Sequence, residues 1–201
     1  MQTIPGAARA LGLALAVAAA PASHAAPTQT AFDRSAQLQD TALVLNGAGT
    51  RTRVMFQVYD MALYLPRKAT TAEAALAMPG PKRLSFVALR EIPGTDLGLA
   101  FIKGLQANSS REQVQRHTPS STRLIEVFSG KARLLPGERF AMDYLPGKGT
   151  QFYIQGQPQG APVGDAEFFE MVLRIWLGPS AVEPLLRDAL LGQGTSGRPG
   201  L

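Results

Sequence analysis

In Asn46-Gly47-Ala48-Gly49-Thr50-Arg51-Thr52-Arg53-Val54-Met55-Phe56-Gln57-Val58-Tyr59-Asp60-Met61-Ala62-Leu63-Tyr64-Leu65-Pro66, a glycine-rich segment runs into two arginines and then into an apolar run carrying two tyrosines. Gly47 and Gly49 predict a turn. From Val54 to Leu65 apolar residues fill both parities, with Val54, Phe56, Val58 and Ala62 on one and Met55, Met61, Leu63 and Leu65 on the other. That pattern predicts a strand buried on both faces. Guanidinium and phenol groups on such a strand are placed to meet an anionic or enolate-like ligand inside an apolar sheet.

On the N-terminal side, Thr28 to Asp40 is polar and reads as extended, leading into an apolar run at Thr41 to Leu45. On the C-terminal side, Thr71 to Met78 predicts a short helix ended by Pro79-Gly80-Pro81, and Lys82 to Ile92 a strand. Pro93-Gly94-Thr95-Asp96 opens a helix to about Asn108, with Thr95 as the expected N-cap and Leu97, Phe101, Leu105 and Asn108 on one stripe. Ser109 to Phe128 reads as helix in two pieces, broken at Thr118-Pro119. Glu138 to Leu145 and Thr150 to Gln155 form a hairpin across Pro146-Gly147-Lys148-Gly149. Asp165 caps a helix to Leu177 that is apolar nearly all round, and Ala181 to Leu191 closes the fold as a last helix. Three or four helices on one face of an antiparallel sheet of about six strands is an α+β architecture.

The first 25 or so of the 201 residues read as an address. Arg9 is a positive n-region, Leu11 to Ala20 an apolar h-region too short to span a bilayer, and Ser23-His24-Ala25 a small-x-small cleavage site. The expected organisation is a signal peptide over residues 1–25, a single domain over 26–192 and a disordered tail over 193–201, with periplasmic or secreted localisation and no stable membrane span. The chain has no cysteine although export would allow disulfides, so its core is held without them. Its 20 Lys and Arg residues are scattered against 15 Asp and Glu, with no dense run and no interleaved aromatics, which gives no nucleic-acid footprint.

Most catalytic arrangements are excluded by composition. There is no thiol nucleophile, no Gly-Lys-Ser/Thr phosphate cradle, and no set of histidines to ligate a metal. His117 reads as a loop residue before Thr118-Pro119 rather than a general base. The polar residues left in apolar company are Arg51, Arg53, Tyr59, Tyr64, Arg90, Asn108 and Arg174. A buried guanidinium requires a partner, internal or ligand. Glu91 is the expected partner of Arg90, and Glu170 or Asp188 of Arg174.

Gly47-Ala48-Gly49-x-Arg51, then Val58-Tyr59-x-x-x-Leu63-Tyr64-Leu65 and Leu89-Arg90-Glu91-Ile92, resemble the chalcone isomerase superfamily. Pro146-Gly147-x-Gly149-Thr150 and the Trp176-Leu177-Gly178 helix end resemble its bacterial exported branch. The resemblance runs from about Thr41 to Gly192, with the elements in the expected order. It implies an open-faced β-sandwich, an antiparallel sheet with helices layered on one face and a ligand cleft between them. In the isomerases, an arginine after the glycine turn, a strand threonine, a helix tyrosine and asparagine, and a threonine on the last-but-one helix surround a chalcone as it closes to a flavanone.

Carried over by position, the arginine falls at Arg51, the strand threonine at Tyr59, the helix tyrosine at Phe101, the asparagine at Asn108 and the last threonine at Ile175. Phe101 and Ile175 have no hydrogen bond to donate, which removes enolate-directed donors worth about 3 to 4 kcal/mol each. Arginine with a strand tyrosine resembles the superfamily's non-catalytic fatty-acid-binding members, in which the two clasp a carboxylate. Eight residues of straight strand would hold Arg51 and Tyr59 about 26 Å apart, and Thr52 to Met55 carries no Gly, Pro, Asn or Asp to signal a bend. The two share a site only if the chain bends or forms a tight hairpin between them; otherwise Arg53 turns inward in place of Arg51 or the pair is separated.

The expected ligand-binding set is therefore Arg51, Arg53, Tyr59, Phe101, Asn108 and Ile175, for a small apolar or amphipathic carboxylate, fatty-acid-like or aromatic. No metal or other cofactor is expected. The alternatives are an intramolecular lyase acting on an enone, and an envelope interaction protein with no ligand.

Overall fold

The structure, a computed structural model, describes residues 28–193. The leader expected over residues 1–25 lies outside them. So does the tail expected over 193–201, apart from Gln193, whose backbone N–H donates to Asp188 O at 2.8 Å.

Seven strands form one antiparallel sheet: β1 (Ser35–Leu38), β2 (Thr41–Arg53), β3 (Phe56–Leu65), β4 (Lys82–Ala88), β7 (Arg139–Leu145), β8 (Gly149–Ile154) and β9 (Gln157–Pro158), in the spatial order β1-β2-β3-β4-β7-β8-β9. Two short strands, β5 (Ile92–Pro93) and β6 (Arg133–Leu134), pair separately. The helices are α1 (Ala72–Leu76), α2 (Gly94–Ala107), α3 (Arg111–Arg116), α4 (Thr118–Ser129), α5 (Ala166–Leu177) and α6 (Pro184–Leu190). The α+β reading holds, with one more strand in the main sheet than expected.

β3 is the third of the seven strands, and its two parities face different layers. Tyr59, Met61, Leu63 and Leu65 join Leu84, Phe86, Phe140, Met142 and Phe152 beneath α2, α4 and α5. Ala62 and Tyr64 turn to the opposite face, where Leu38, Leu43 and Leu145 bury a smaller cluster under the N-terminal segment. Tyr64 donates there to Asp33 O at 3.0 Å. Burial on both faces thus holds from Tyr59 to Leu65, whereas Val54, Met55 and Phe56 stand exposed.

The main core is aromatic. Phe86 stacks on Phe140 with centroids 4.4 Å apart, Tyr59 meets Phe86 edge-on at 5.5 Å, and Phe101 meets Trp176 at 5.6 Å and Phe128 at 5.2 Å. Pairs of this kind add about 0.5–1.5 kcal/mol each beyond the area they bury. α5 supplies Phe168, Phe169, Val172, Leu173 and Trp176 to this layer, all buried, and Asp165 caps it by accepting from Phe168 N at 3.0 Å, as its sequence predicts.

Three local expectations are corrected. Gly47 and Gly49 make no turn: both lie inside β2, where α6 packs directly on them. A Cβ on Gly47 would stand 2.1 Å from Ala189 O, and one on Gly49 would stand 2.8 Å from Leu186 Cδ1. The glycines mark close approach of a helix to a strand, which a sequence cannot tell from a turn. Thr95 is not an N-cap, because the β5–β6 pairing brings Gly94 N–H onto Ala132 O at 3.2 Å and α2 starts at Gly94, two residues earlier than a Thr95 cap would set it. His117 is no surface loop residue; it is buried at the α3–α4 junction with Nε2 2.8 Å from Glu167 Oε2.

Candidate functional site

Arg51 and Tyr59 are direct cross-strand partners. β2 and β3 form a hairpin closed by Val54 and Met55 alone, with Arg53 opposite Phe56. Val54 has φ 58° and Met55 does not share the positive φ, the φ signature of a type II′ connection, which favours glycine at its first central position. A β-branched residue is the least expected occupant of that conformation, so the turn carried no sequence signal. A register shift between Arg51 and Thr52 leaves Val58 as the extra residue of a bulge and sets Arg51 opposite Tyr59. Of the alternatives the sequence left open, the tight hairpin is the one present, and Arg53 does not turn inward: that side chain stands exposed beside the turn.

The Arg51 guanidinium does not stand alone. Its Nη1 donates to Glu183 Oε2 at 2.9 Å, and the same oxygen accepts from Thr52 N at 2.8 Å. Arg51 also donates to Thr52 O. Glu183 is the N-cap residue of α6, so the helix that packs on Gly47 and Gly49 also delivers a carboxylate to the arginine. The ion pair is about one-fifth exposed on each side.

Tyr59 is buried on the core side of the pair. Its phenol oxygen accepts from Trp176 Nε1 at 3.0 Å, and among the described residues it donates to no acceptor. Burial pushes its pKa up to about 12, against the lowering effects of the Trp176 bond and the Arg51 charge, while the Glu183 charge raises it further. The phenol is therefore a neutral donor at physiological pH, close enough to both members of the ion pair to feel their charge.

The other expected site residues have structural work. Phe101 packs among Trp176, Phe128 and Phe86, and Ile175 is buried against Gly104. Asn108 lies at the C-cap of α2, where its Oδ1 accepts from Ser180 N at 2.8 Å and its Nδ2 donates to Gly104 O at 2.9 Å and Ser180 O at 3.1 Å. Both ends of the amide are used to tie α2 to the α5–α6 connection.

Elsewhere charges find partners within the protein. Arg174 meets Glu170 at 2.7 Å, one of the two partners its sequence suggests. Arg90 does not pair with Glu91: its guanidinium lies 4.8 Å from the Phe56 ring centroid, and Glu91 meets Arg133 at 3.1 Å. Asp143, fully buried, receives both prongs of Arg83 at 2.7 and 2.6 Å, and burial still pushes its carboxyl up. His117, Arg116 and Gln113 converge on Glu167 and hold its carboxyl down at about 2. Among the described residues no cluster of His, Asp and Glu has a metal site's geometry.

Two open clefts flank α1. One of about 460 Å³ is lined by Leu76, Arg174, Leu177, Arg187 and Leu191, and one of about 370 Å³ by Met78, Lys82, Tyr144, Phe169 and Leu173. Neither is lined by Arg51, Tyr59, Phe101 or Asn108. Trp176 and Glu183 complete the Arg51–Tyr59 arrangement. Trp176 was legible as core, but nothing in the sequence announces that Glu183 reaches an arginine 132 positions away.

A sequence profile described as chalcone isomerase-like matches residues 26–192. The chain belongs to the chalcone isomerase-like family. No curated protein matches it. Among solved structures, it is similar to the crystal structure of a fatty-acid binding protein of Arabidopsis thaliana, with a TM-score of 0.61 and 11% identity over 80% of this chain and 90% of that one. At that identity the likeness is one of fold. Phe101 and Ile175, expected from the resemblance to stand at donor positions, are sealed in the core.

Proposed function

We propose that this protein is an exported binder of a small amphipathic carboxylate whose head group sits on Arg51 and Tyr59. One observation carries the reading: a guanidinium and a neutral phenol, its O–H uncommitted among the described residues, occupy facing positions on one hairpin, and a carboxylate already rests on the guanidinium. Glu183 stands where a ligand's carboxylate would stand, accepting from Arg51 and from a backbone N–H. A ligand carboxylate exchanges with Glu183, takes Arg51 as its cation and gains a third bond from the Tyr59 O–H. Because aromatic side chains fill the interior, seating an apolar tail requires α6 to move off β2, so binding is linked to a minor open population.

The test compares wild type, Glu183→Gln and Arg51→Gln for retention of medium- and long-chain carboxylic acids by native mass spectrometry and calorimetry. Glu183→Gln removes the internal competitor and should tighten binding about tenfold, the size of effect that one charge-assisted hydrogen bond commands. Arg51→Gln should abolish binding. If neither wild type nor Glu183→Gln retains any acid, the ligand reading fails. An interaction protein without ligand then stands, a reading favoured by the filled aromatic interior. Enone cyclisation is less supported, since Phe101 and Ile175 have no hydrogen bond to donate to an enolate and both are sealed in the core; no chalcone turnover is expected.

A further inference from the structure

We propose that the tip of the β2–β3 hairpin is a membrane-docking element that inserts its apolar apex into an anionic bilayer surface. Val54, Met55 and Phe56 are 88%, 86% and 59% exposed, the most exposed large apolar side chains among the described residues. They sit on a ribbon that outruns its neighbours. The β3–β4 ladder begins only at Tyr59, and the β1–β2 ladder covers only Thr41 to Val44. Leu135, in the turn whose Gly137 N–H bonds Ala88 O, is a further exposed apolar residue at the same end of the sheet.

The cations are set back from the apex. Arg53 directly precedes the turn, and the Arg90 guanidinium covers the Phe56 ring at 4.8 Å. Both side chains are exposed, and among the described residues neither is in an ion pair, while the nearby acids Glu91 and Glu183 are engaged by Arg133 and Arg51. A convex apolar apex followed by a cationic collar matches the layering of a bilayer interface, where acyl chains lie beneath anionic phosphates. A protein partner would need a concave counterpart and a contact larger than three side chains supply. Val54 at φ 58° adds to the argument, because glycine would suit the turn better and nothing in the folded core uses the valine side chain. The inference is independent of the Arg51 ligand reading.

Two measurements on the exported chain, freed of the leader expected over residues 1–25, test it. Met55→Trp places a reporter at the apex, distinguishable from Trp176, the only native tryptophan, which is 1% exposed. Its emission should shift to the blue on adding vesicles of phosphatidylcholine mixed equally with phosphatidylglycerol, and far less with phosphatidylcholine alone. In co-sedimentation, Val54→Gly combined with Met55→Ser keeps or eases the turn while removing two apical side chains, and should lower retention on the anionic vesicles about tenfold. Arg53→Ser combined with Arg90→Ser should erase the preference for anionic vesicles, as should raised salt in the wild type. An unshifted emission from the Met55→Trp variant overturns the proposal and leaves the tip to a protein partner. So does a double variant, Val54→Gly with Met55→Ser, that is retained as well as wild type.

Discussion

At the scale of single residues, the bond from Trp176 Nε1 to the Tyr59 phenol joins the two halves of the candidate site across the sheet–helix interface. Both groups are buried, so removing the acceptor leaves an indole N–H without a partner. Tyr59→Phe should therefore lower stability by about 1–3 kcal/mol, read from urea denaturation midpoints with an unchanged slope. A change below a few tenths would mean that the bond contributes nothing. Legibility at this scale was uneven. Arg51 and Tyr59 were recognisable as a chemical pair, and Glu170 was one of two partners open to Arg174, but the partners of His117 and Asn108 were not legible. Their partners, Glu167 and Ser180, lie 50 and 72 residues away, and no local pattern encodes such distances.

At the scale of elements, α6 is the piece on which the candidate site depends, since it covers β2 and carries Glu183 at its N-cap. The two glycines beneath it are not equivalent. A Cβ at Gly47 meets backbone oxygen at 2.1 Å, while one at Gly49 meets the end of the Leu186 side chain and the Ala189 methyl. Gly47→Ala should force α6 outward and destabilise by about 1–3 kcal/mol or more, whereas Gly49→Ala should cost less because Leu186 can change rotamer. Amide hydrogen exchange in residues 184–190 should accelerate in the first variant more than in the second. The same pair of glycines shows the limit of element reading from sequence: a flexible residue in a strand and one in a turn look alike until the packing neighbour is known.

At the scale of the whole molecule, stability should follow acid titration through Glu167, the α5 carboxylate on which α3 and the α3–α4 junction converge. Its folded pKa is depressed from an ordinary 4.5 to about 2. A depressed carboxyl stabilises the fold fully above its unfolded pKa and loses that contribution as pH falls through the folded value. Stability should thus decline between about pH 5 and pH 2, and Glu167→Gln should flatten that limb while leaving the other carboxylates' share intact, measured by urea titrations across the range. An acid limb identical to that of the wild type would show that the three bonds to Glu167 do not persist in solution.

Hydrophobic period and chain punctuation were enough to set the α+β class, the order of its elements, the doubly buried part of β3 and the capped, buried α5, because each depends on neighbours within a few residues. The glycine pattern and arginine placement were enough to point to the chalcone isomerase-like family. Tertiary structure alone decided that Arg51 faces Tyr59, that Glu183 lies on the arginine and that Phe101 and Ile175 are core. The reason is that a two-residue turn at Val54–Met55, unsupported by local propensity, is set by pairing and packing along the rest of the hairpin, and that the remaining contacts join segments far apart in the chain, 132 residues for Arg51–Glu183 and 117 for Tyr59–Trp176.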